Sequence, residues 1–256
     1  KRVDHFHLRK TPIPTDRNPT DVQEDRMTPE GMNPGFIDPT QDEVIVDKTP
    51  AGLDARFKEL INRNYGSFKN ELNAALVDLT GKKLYAPEYA GWNSTVLVYG
   101  ASSPKVLAIY AAFQLKADLW RLALREKITS RAALIKRFGE HMRKAGISPA
   151  PEVSETNFAL TENGTDPVSV EISDALMTHI RNIHNRDLSN SAARQLIKAV
   201  GFGYIGSVTA QAGLWHKNRK GLWLSASYDG GAGWAASPVG GYGHTCNALA
   251  LATFFA

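Results

Sequence analysis

From Val106 to Leu124 the sequence is apolar at almost every position, with Gln114, Lys116 and Asp118 as interruptions. Read as a helix, this run places hydrophobic side chains on nearly every side, and a helix that is apolar all round belongs inside a domain. The polar interruptions come too early for a membrane span, which needs about 20 predominantly apolar residues in a row. The run therefore predicts a central buried helix around which the remaining elements must pack. A chain of 256 residues, 43% of them hydrophobic, is long enough to supply the rest of that core.

The head of the run carries the most chemistry. Ser102-Ser103-Pro104-Lys105 sets a hydroxyl and an amine three residues apart, on one face of a helix that starts near Ser103. Pro104 suits such a start, because a first-turn N–H has no intrahelical acceptor to lose. A serine becomes a nucleophile when a nearby base takes its proton, and a neutral lysine amine can be that base. The positive end of the helix dipole and burial both favour the neutral amine. The free N–H groups of the first turn also offer a place for a developing oxyanion. The same tetrad has a purely structural reading, with Ser102 as an N-cap and Lys105 as a solvated first-turn residue. A Ser-x-x-Lys also arises by chance in chains of this composition.

Residues 1–50 are rich in proline and charge with little apolar periodicity, which predicts an extended arm or linker before a domain at 51–256. His5 and His7 lie in that arm and lack a third ligand nearby, so they read as a surface pair. Leu53, Phe57, Leu60, Ile61 and Tyr65 fall at helical spacing and predict one buried face. Asn73 to Leu79, a Thr80-Gly81-Lys82 turn and Lys83 to Tyr85 read as a hairpin. Beyond the central helix, helical patterns cover 129–145, 169–184, 190–200 and 203–213, with a loop expected at 150–168. The stretch from Leu214 to Gly243, rich in glycine and tryptophan, predicts a long loop of the kind that carries or covers function. Thr245 to Phe255 is apolar and reads as a final helix.

The net charge of +4 comes from scattered basic residues, which argues against nucleic-acid binding. The densest cluster, His216-Lys217-Asn218-Arg219-Lys220, reads as a solvated turn. Cys246 is the only cysteine, which excludes an internal disulfide and a cysteine-based zinc site. Nothing in the sequence calls for a metal or another cofactor.

In order, these elements resemble the serine β-lactamase and penicillin-binding protein superfamily, most closely the class A β-lactamases. The likeness rests on Ala74 to Lys82 as the opening hairpin, on Ser102-Ser103-Pro104-Lys105 running into the central helix, and on Leu188-Ser189-Asn190-Ser191-Ala192-Ala193, which is similar to the Ser-Asp-Asn motif. It implies an α+β fold, a helical subdomain beside an antiparallel sheet. It also implies a serine hydrolase acting on a β-lactam or peptide-like amide. Ser102 would be acylated, Lys105 would accept its proton, and Ser189 would relay a proton to the leaving group. Asn190 and Ser191 would bind substrate. The family acts mostly outside the cytoplasm, so a periplasmic or extracellular site is implied, although no charged-then-apolar leader opens this sequence.

Three departures shape the expectation. Ser191 stands where the family has an asparagine and lacks that amide's paired donor and acceptor. No glutamate follows Leu188, and Asp229 is the one carboxylate left as a water-activating candidate, with a turn role as its alternative. His244-Thr245-Cys246 has a superficial likeness to the family's third motif, but the residues after it resemble the helix that precedes that motif's strand. The C-terminal strands are therefore expected to be missing from residues 51–256, with a second chain or segment completing the sheet. A non-catalytic or slowly deacylating binding module of the same fold is the alternative function. A third idea is that the basic segment 121–144 and the arm mediate protein contacts.

Overall fold

The structure is a computed structural model, and it describes residues 52–78, 88–147, 149–216, 220–228 and 244–255. The arm 1–50 with His5 and His7, the Thr80-Gly81-Lys82 turn, Lys83 to Tyr85 and Asp229 lie outside the described residues. Among the described residues the chain is mixed α and β, with small antiparallel ribbons packed around helices.

The run that opened the sequence is helix α2, Lys105–Glu126, preceded by α1, Leu53–Asn64. Leu107, Ala108, Ala111, Ala112, Leu115, Leu119, Leu122 and Ala123 are fully buried on α2. The expectation of burial on every side is corrected along one stripe, because Phe113, Trp120 and Leu124 are 46%, 42% and 43% exposed. Seven and then four residues apart, they share one face of the helix. Phe113 also lines an apolar cavity of about 260 Å³ with Tyr110, Leu214 and Phe254. Among the described residues no helix is long and apolar enough to cross a membrane.

Around α2 stand α3 (Arg131–Lys144), α4 (Asp174–Asn182), α5 (Ser189–Val200), α6 (Phe202–Gln211) and α7 (Ala248–Phe255). Ser130 caps α3 by accepting from Ala133 N–H at 3.2 Å, and Ser173 caps α4 by accepting from Leu176 N–H at 3.1 Å. Leu196, Ile197 and Val200 on α5 and Tyr204, Ile205 and Val208 on α6 join the α2 core. A polar pin crosses that core. The Tyr204 hydroxyl donates to Asp118 Oδ2 at 2.5 Å, and Gln114 Nε2 donates to Asp118 Oδ1 at 2.8 Å, so the buried carboxylate on α2 has partners.

Four two-stranded antiparallel sheets take the place of one continuous sheet among the described residues. Strand β1, Ala74–Asp78, pairs with β2, Glu88–Trp92, while the partner expected at 83–85 lies outside the described residues. Helix α1 is tied to this ribbon where Gly91 N–H donates to Asp54 Oδ1 at 3.1 Å. Its apolar face is only partly covered. Ile61 is buried, whereas Leu60 and Tyr65 are 52% and 47% exposed, since a two-stranded ribbon is too narrow to cover the whole stripe.

Residues 150–157 are a loop as expected, but the rest of the loop expected to 168 and the first turn of the helix expected at 169–184 are instead a hairpin, β4 (Phe158–Asn163) and β5 (Asp166–Ile172). Phe158, Leu160, Val168 and Val170 alternate inward, and Gly164 takes the left-handed backbone that the turn requires (φ 67°). Strands β6 (Trp215–His216) and β7 (Lys220–Gly221) flank the basic cluster, whose residues 217–219 are not described.

The last ribbon positions the candidate site. Strand β3, Val98–Tyr99, pairs with β8, Thr245–Cys246, so the segment expected to be entirely helical begins as a strand before α7. Trp223 extends the ribbon, exchanging backbone hydrogen bonds with Thr245 at 3.0 and 3.1 Å.

Truncating the fully buried Leu115 to alanine should cost about 2–5 kcal/mol of unfolding free energy in urea titrations, whereas Leu124→Ala on the exposed stripe should cost less than about 1 kcal/mol.

Candidate functional site

The turn that carries Ser102 is built by β3 and β8. Gly100 N–H donates to the His244 carbonyl at 2.8 Å, and the chain then folds back in two tight steps, Ser103 N–H to Gly100 O at 2.9 Å and Lys105 N–H to Ser102 O at 3.1 Å. Helix α2 therefore starts at Lys105, two residues later than the spacing predicts, with Pro104 as its N-cap. Gly100 is required by close approach. A Cβ there would stand 2.9 Å from Pro104 Cγ and 3.2 Å from the Thr245 carbonyl carbon.

Lys105 points inward from this start and is only 4% exposed. Its Nζ donates to Ser189 Oγ at 2.9 Å and to Asn190 Oδ1 at 2.6 Å, both at the first turn of α5. That turn is set by Asn185, whose side-chain oxygen accepts from Asp187 N–H at 3.0 Å while its carbonyl accepts from Ser189 N–H at 2.8 Å. Ser189 Oγ donates its own proton to the Ile183 carbonyl at 2.5 Å, which leaves its lone pairs for the lysine.

The sequence candidates thus divide. Lys105, Ser189 and Asn190 meet. Ser191, one residue further along α5, is exposed, and it is the amide of Asn190 rather than Ser191 that reaches the lysine. Ser102 lies on the exposed outer side of the turn and makes no side-chain hydrogen bond among the described residues. Asp229 is outside them, and among them no carboxylate pairs with Lys105. No group of three or more His, Cys, Asp or Glu side chains there could hold a metal.

Two residues that were not singled out as site residues complete the surroundings. The Tyr228 ring centroid lies 4.5 Å from Lys105 Nζ, and its hydroxyl donates to the Ala101 carbonyl at 3.0 Å. His244 stacks on the same ring at 4.4 Å with 14° between planes, and its Nδ1 faces Ser225 N–H at 3.4 Å. Tyr99 approaches His244 at 6.4 Å. The hydroxyls of Ser225 and Thr245 are buried and have no hydrogen-bond partner among the described residues. For His244 the sequence signal is the third-motif likeness of His244-Thr245-Cys246, which lies on the strand beside the Ser102 turn; for Tyr228 no spacing links it to Lys105.

Electrostatically the surroundings of Lys105 disfavour positive charge. Burial holds the Lys105 amine below its ordinary value, and its place in the first turn of α2 adds the repulsion of the helix dipole. Burial, with a smaller part from the Lys105 charge, pushes His244 down to about 4. Burial raises the Tyr228 phenol, with Tyr99 adding to the rise. A lowered amine held against a hydroxyl and an amide oxygen is neutral, and so able to take a proton from a neighbour, more often than an exposed lysine is.

No family model, no curated protein and no solved structure matches this chain.

His244 is neutral in the fold down to about 4 but protonates near 6.5 once unfolded, so the unfolded chain binds the extra proton between those values. Stability should therefore fall as pH drops from 6.5 towards 4.5. Comparing urea midpoints of wild type and His244→Gln should show a flatter decline in the variant, by up to about 2–3 kcal/mol over the window. His141, also lowered by burial, contributes to both proteins and cancels in the difference.

Proposed function

We propose that this chain is a serine hydrolase of the β-lactamase and penicillin-binding type, forming an acyl-enzyme on Ser102 with a β-lactam or peptide-like amide. The observation that carries this reading is the hydrogen bond from Lys105 Nζ to Ser189 Oγ at 2.9 Å, which joins two motif residues that the sequence holds far apart. It is supported by the burial that lowers the amine, and it requires Ser102, exposed on the outer side of the turn, to swing its hydroxyl towards that amine.

In this reading the neutral Lys105 amine takes the Ser102 proton as Oγ attacks the carbonyl carbon. The amide C–N bond then breaks, and its nitrogen receives a proton through Ser189. For that relay the Ser189 hydroxyl turns away from the Ile183 carbonyl and towards the leaving nitrogen. Asn190 holds Lys105 in register meanwhile. Water hydrolyses the ester in a second step. The finer fold, a β-lactamase-like helical subdomain against a sheet, belongs to the same proposal, as does a location outside the cytoplasm.

Two observations favour a second reading, a slowly deacylating or non-catalytic binding module. Among the described residues no carboxylate lies beside Lys105 to activate that water, and Ser191 lacks the amide that would hold a substrate side chain.

Incubation with a fluorophosphonate or a fluorescent penicillin, read by intact mass, should give one adduct that disappears in Ser102→Ala. Lys105→Met should slow its formation by about 10²–10⁴-fold, the usual share of a general base. A penicilloyl adduct that persists for hours selects the slow module, and its prompt loss selects the hydrolase, while the phosphonate adduct reports only that the serine reacts. A folded chain that takes neither probe ends the acyl-enzyme proposal.

A further inference from the structure

We propose that Tyr228, braced by His244, is a positioning residue for Lys105, whose ring face fixes the amine against Ser189 and Asn190 and favours its protonated form. This rests on the reading of Lys105 as the base.

The amine has three N–H groups when charged. Two of its directions are taken by Ser189 Oγ and Asn190 Oδ1, at 2.9 and 2.6 Å. The third recipient is the Tyr228 ring, whose centroid stands 4.5 Å from Nζ, inside the roughly 6 Å over which an aromatic face attracts a cation. The ring is held on two sides. Its hydroxyl donates to the Ala101 carbonyl at 3.0 Å, and His244 stacks on it at 4.4 Å.

Backbone strain marks the same contact. Tyr228 has φ 64° and Ala101 has φ 45°, so both ends of that hydrogen bond sit in the left-handed region. An aromatic residue there is a true outlier and persists when its surroundings demand it. The hydrogen bond also ties the loop after β7 to the turn that bears Ser102, so one side chain registers both the base and the serine.

The charged and titratable groups facing Lys105 are few. From the loop after β7 comes Tyr228, and from the residue before β8 comes His244, with Tyr99 of β3 behind it. From α5 come only the uncharged Ser189 and Asn190. With no carboxylate paired to the amine among the described residues, the negative face of the ring joins the Ser189 and Asn190 oxygens in favouring the ammonium form. It opposes burial and the helix dipole, which favour the neutral form. Removing the ring without admitting water therefore lowers the Lys105 pKa, and keeping the ring without its hydroxyl leaves it in place.

The test measures Lys105 directly in the full chain. Competitive labelling with acetic anhydride across pH, quantified on the Lys105 peptide by mass, gives the amine's pKa with no need for turnover. Tyr228→Phe should stay within a few tenths of wild type. Tyr228→Leu should fall by about one pH unit, a tenfold rise in the neutral-to-charged amine ratio at fixed pH. Should the leucine variant fail to fold, Tyr228→pentafluorophenylalanine keeps the ring's size while removing its negative face, and the same fall is expected. An unchanged or raised pKa in the folded leucine or fluorinated variant overturns the proposal. So does a fall in Tyr228→Phe equal to that in Tyr228→Leu, because the hydroxyl would then be the active part. Fluorophosphonate labelling of the same proteins is scored separately. Wild type that labels at Lys105 as expected but never reacts at Ser102 removes the hydrolase reading and leaves the role of Tyr228 standing.

Discussion

A lysine amine held out of water is the constraint on which the rest of the site depends. Taking an ammonium group into a protein costs several kcal/mol unless its N–H groups find partners. Here those partners arrive from separate parts of the chain: the start of α5 supplies Ser189 and Asn190, and the loop after β7 supplies Tyr228. None of them is local to Lys105, so the amine is satisfied only after α5 has docked on α2 and the β3–β8 ribbon has closed. The site is thus a product of tertiary packing. The amine in turn specifies that packing, since a shifted α5 would leave it without its oxygen acceptors.

The central helix makes this possible because it is firmly seated at both levels of interaction. Its small residues, Ala108, Ala111, Ala112 and Ala123, let neighbouring elements approach closely, while Leu107, Leu115, Leu119 and Leu122 fill the space between them. Midway along, Asp118 joins Tyr204 of α6. A hydrogen-bonded carboxylate is direction-dependent where leucine contacts are not, so it fixes the rotation of α2 about its axis. That rotation is what turns Lys105 inward and leaves Ser102 on the outer side of the turn.

Much of the helical framework was legible. The apolar run at 106–124 became Lys105–Glu126, and the pattern at 190–200 became Ser189–Val200, because long periodic segments declare themselves through side-chain spacing alone. The hairpin 158–172 went unread although Asn163-Gly164 sits between alternating apolar residues, a turn signal outweighed by the surrounding polarity. Apolarity also proved blind to coverage. Phe113, Trp120 and Leu124 read as core and are exposed, since sequence records what a side chain prefers and not what stands opposite it. At the site, the meeting of Lys105 with Ser189 was an expectation carried by motif order. Tyr228 was illegible as a neighbour of that lysine and His244 showed only through its third-motif likeness, because the pairing that brings them there is two residues long and has no period to read.

The brevity of that pairing has its own consequence. The turn bearing Ser102 is joined to β8 by a ribbon of two register pairs, Val98 with Cys246 and Tyr99 with Thr245, plus the Gly100 to His244 hydrogen bond. So few bonds can open while the α2 core stays intact, because local openings cost far less than global unfolding where few contacts are lost. The ribbon and the domain therefore melt on different scales. The Tyr228 and His244 side of the site opens on the smaller scale, while the contacts of Lys105 with Ser189 and Asn190 last as long as α5 stays docked on α2.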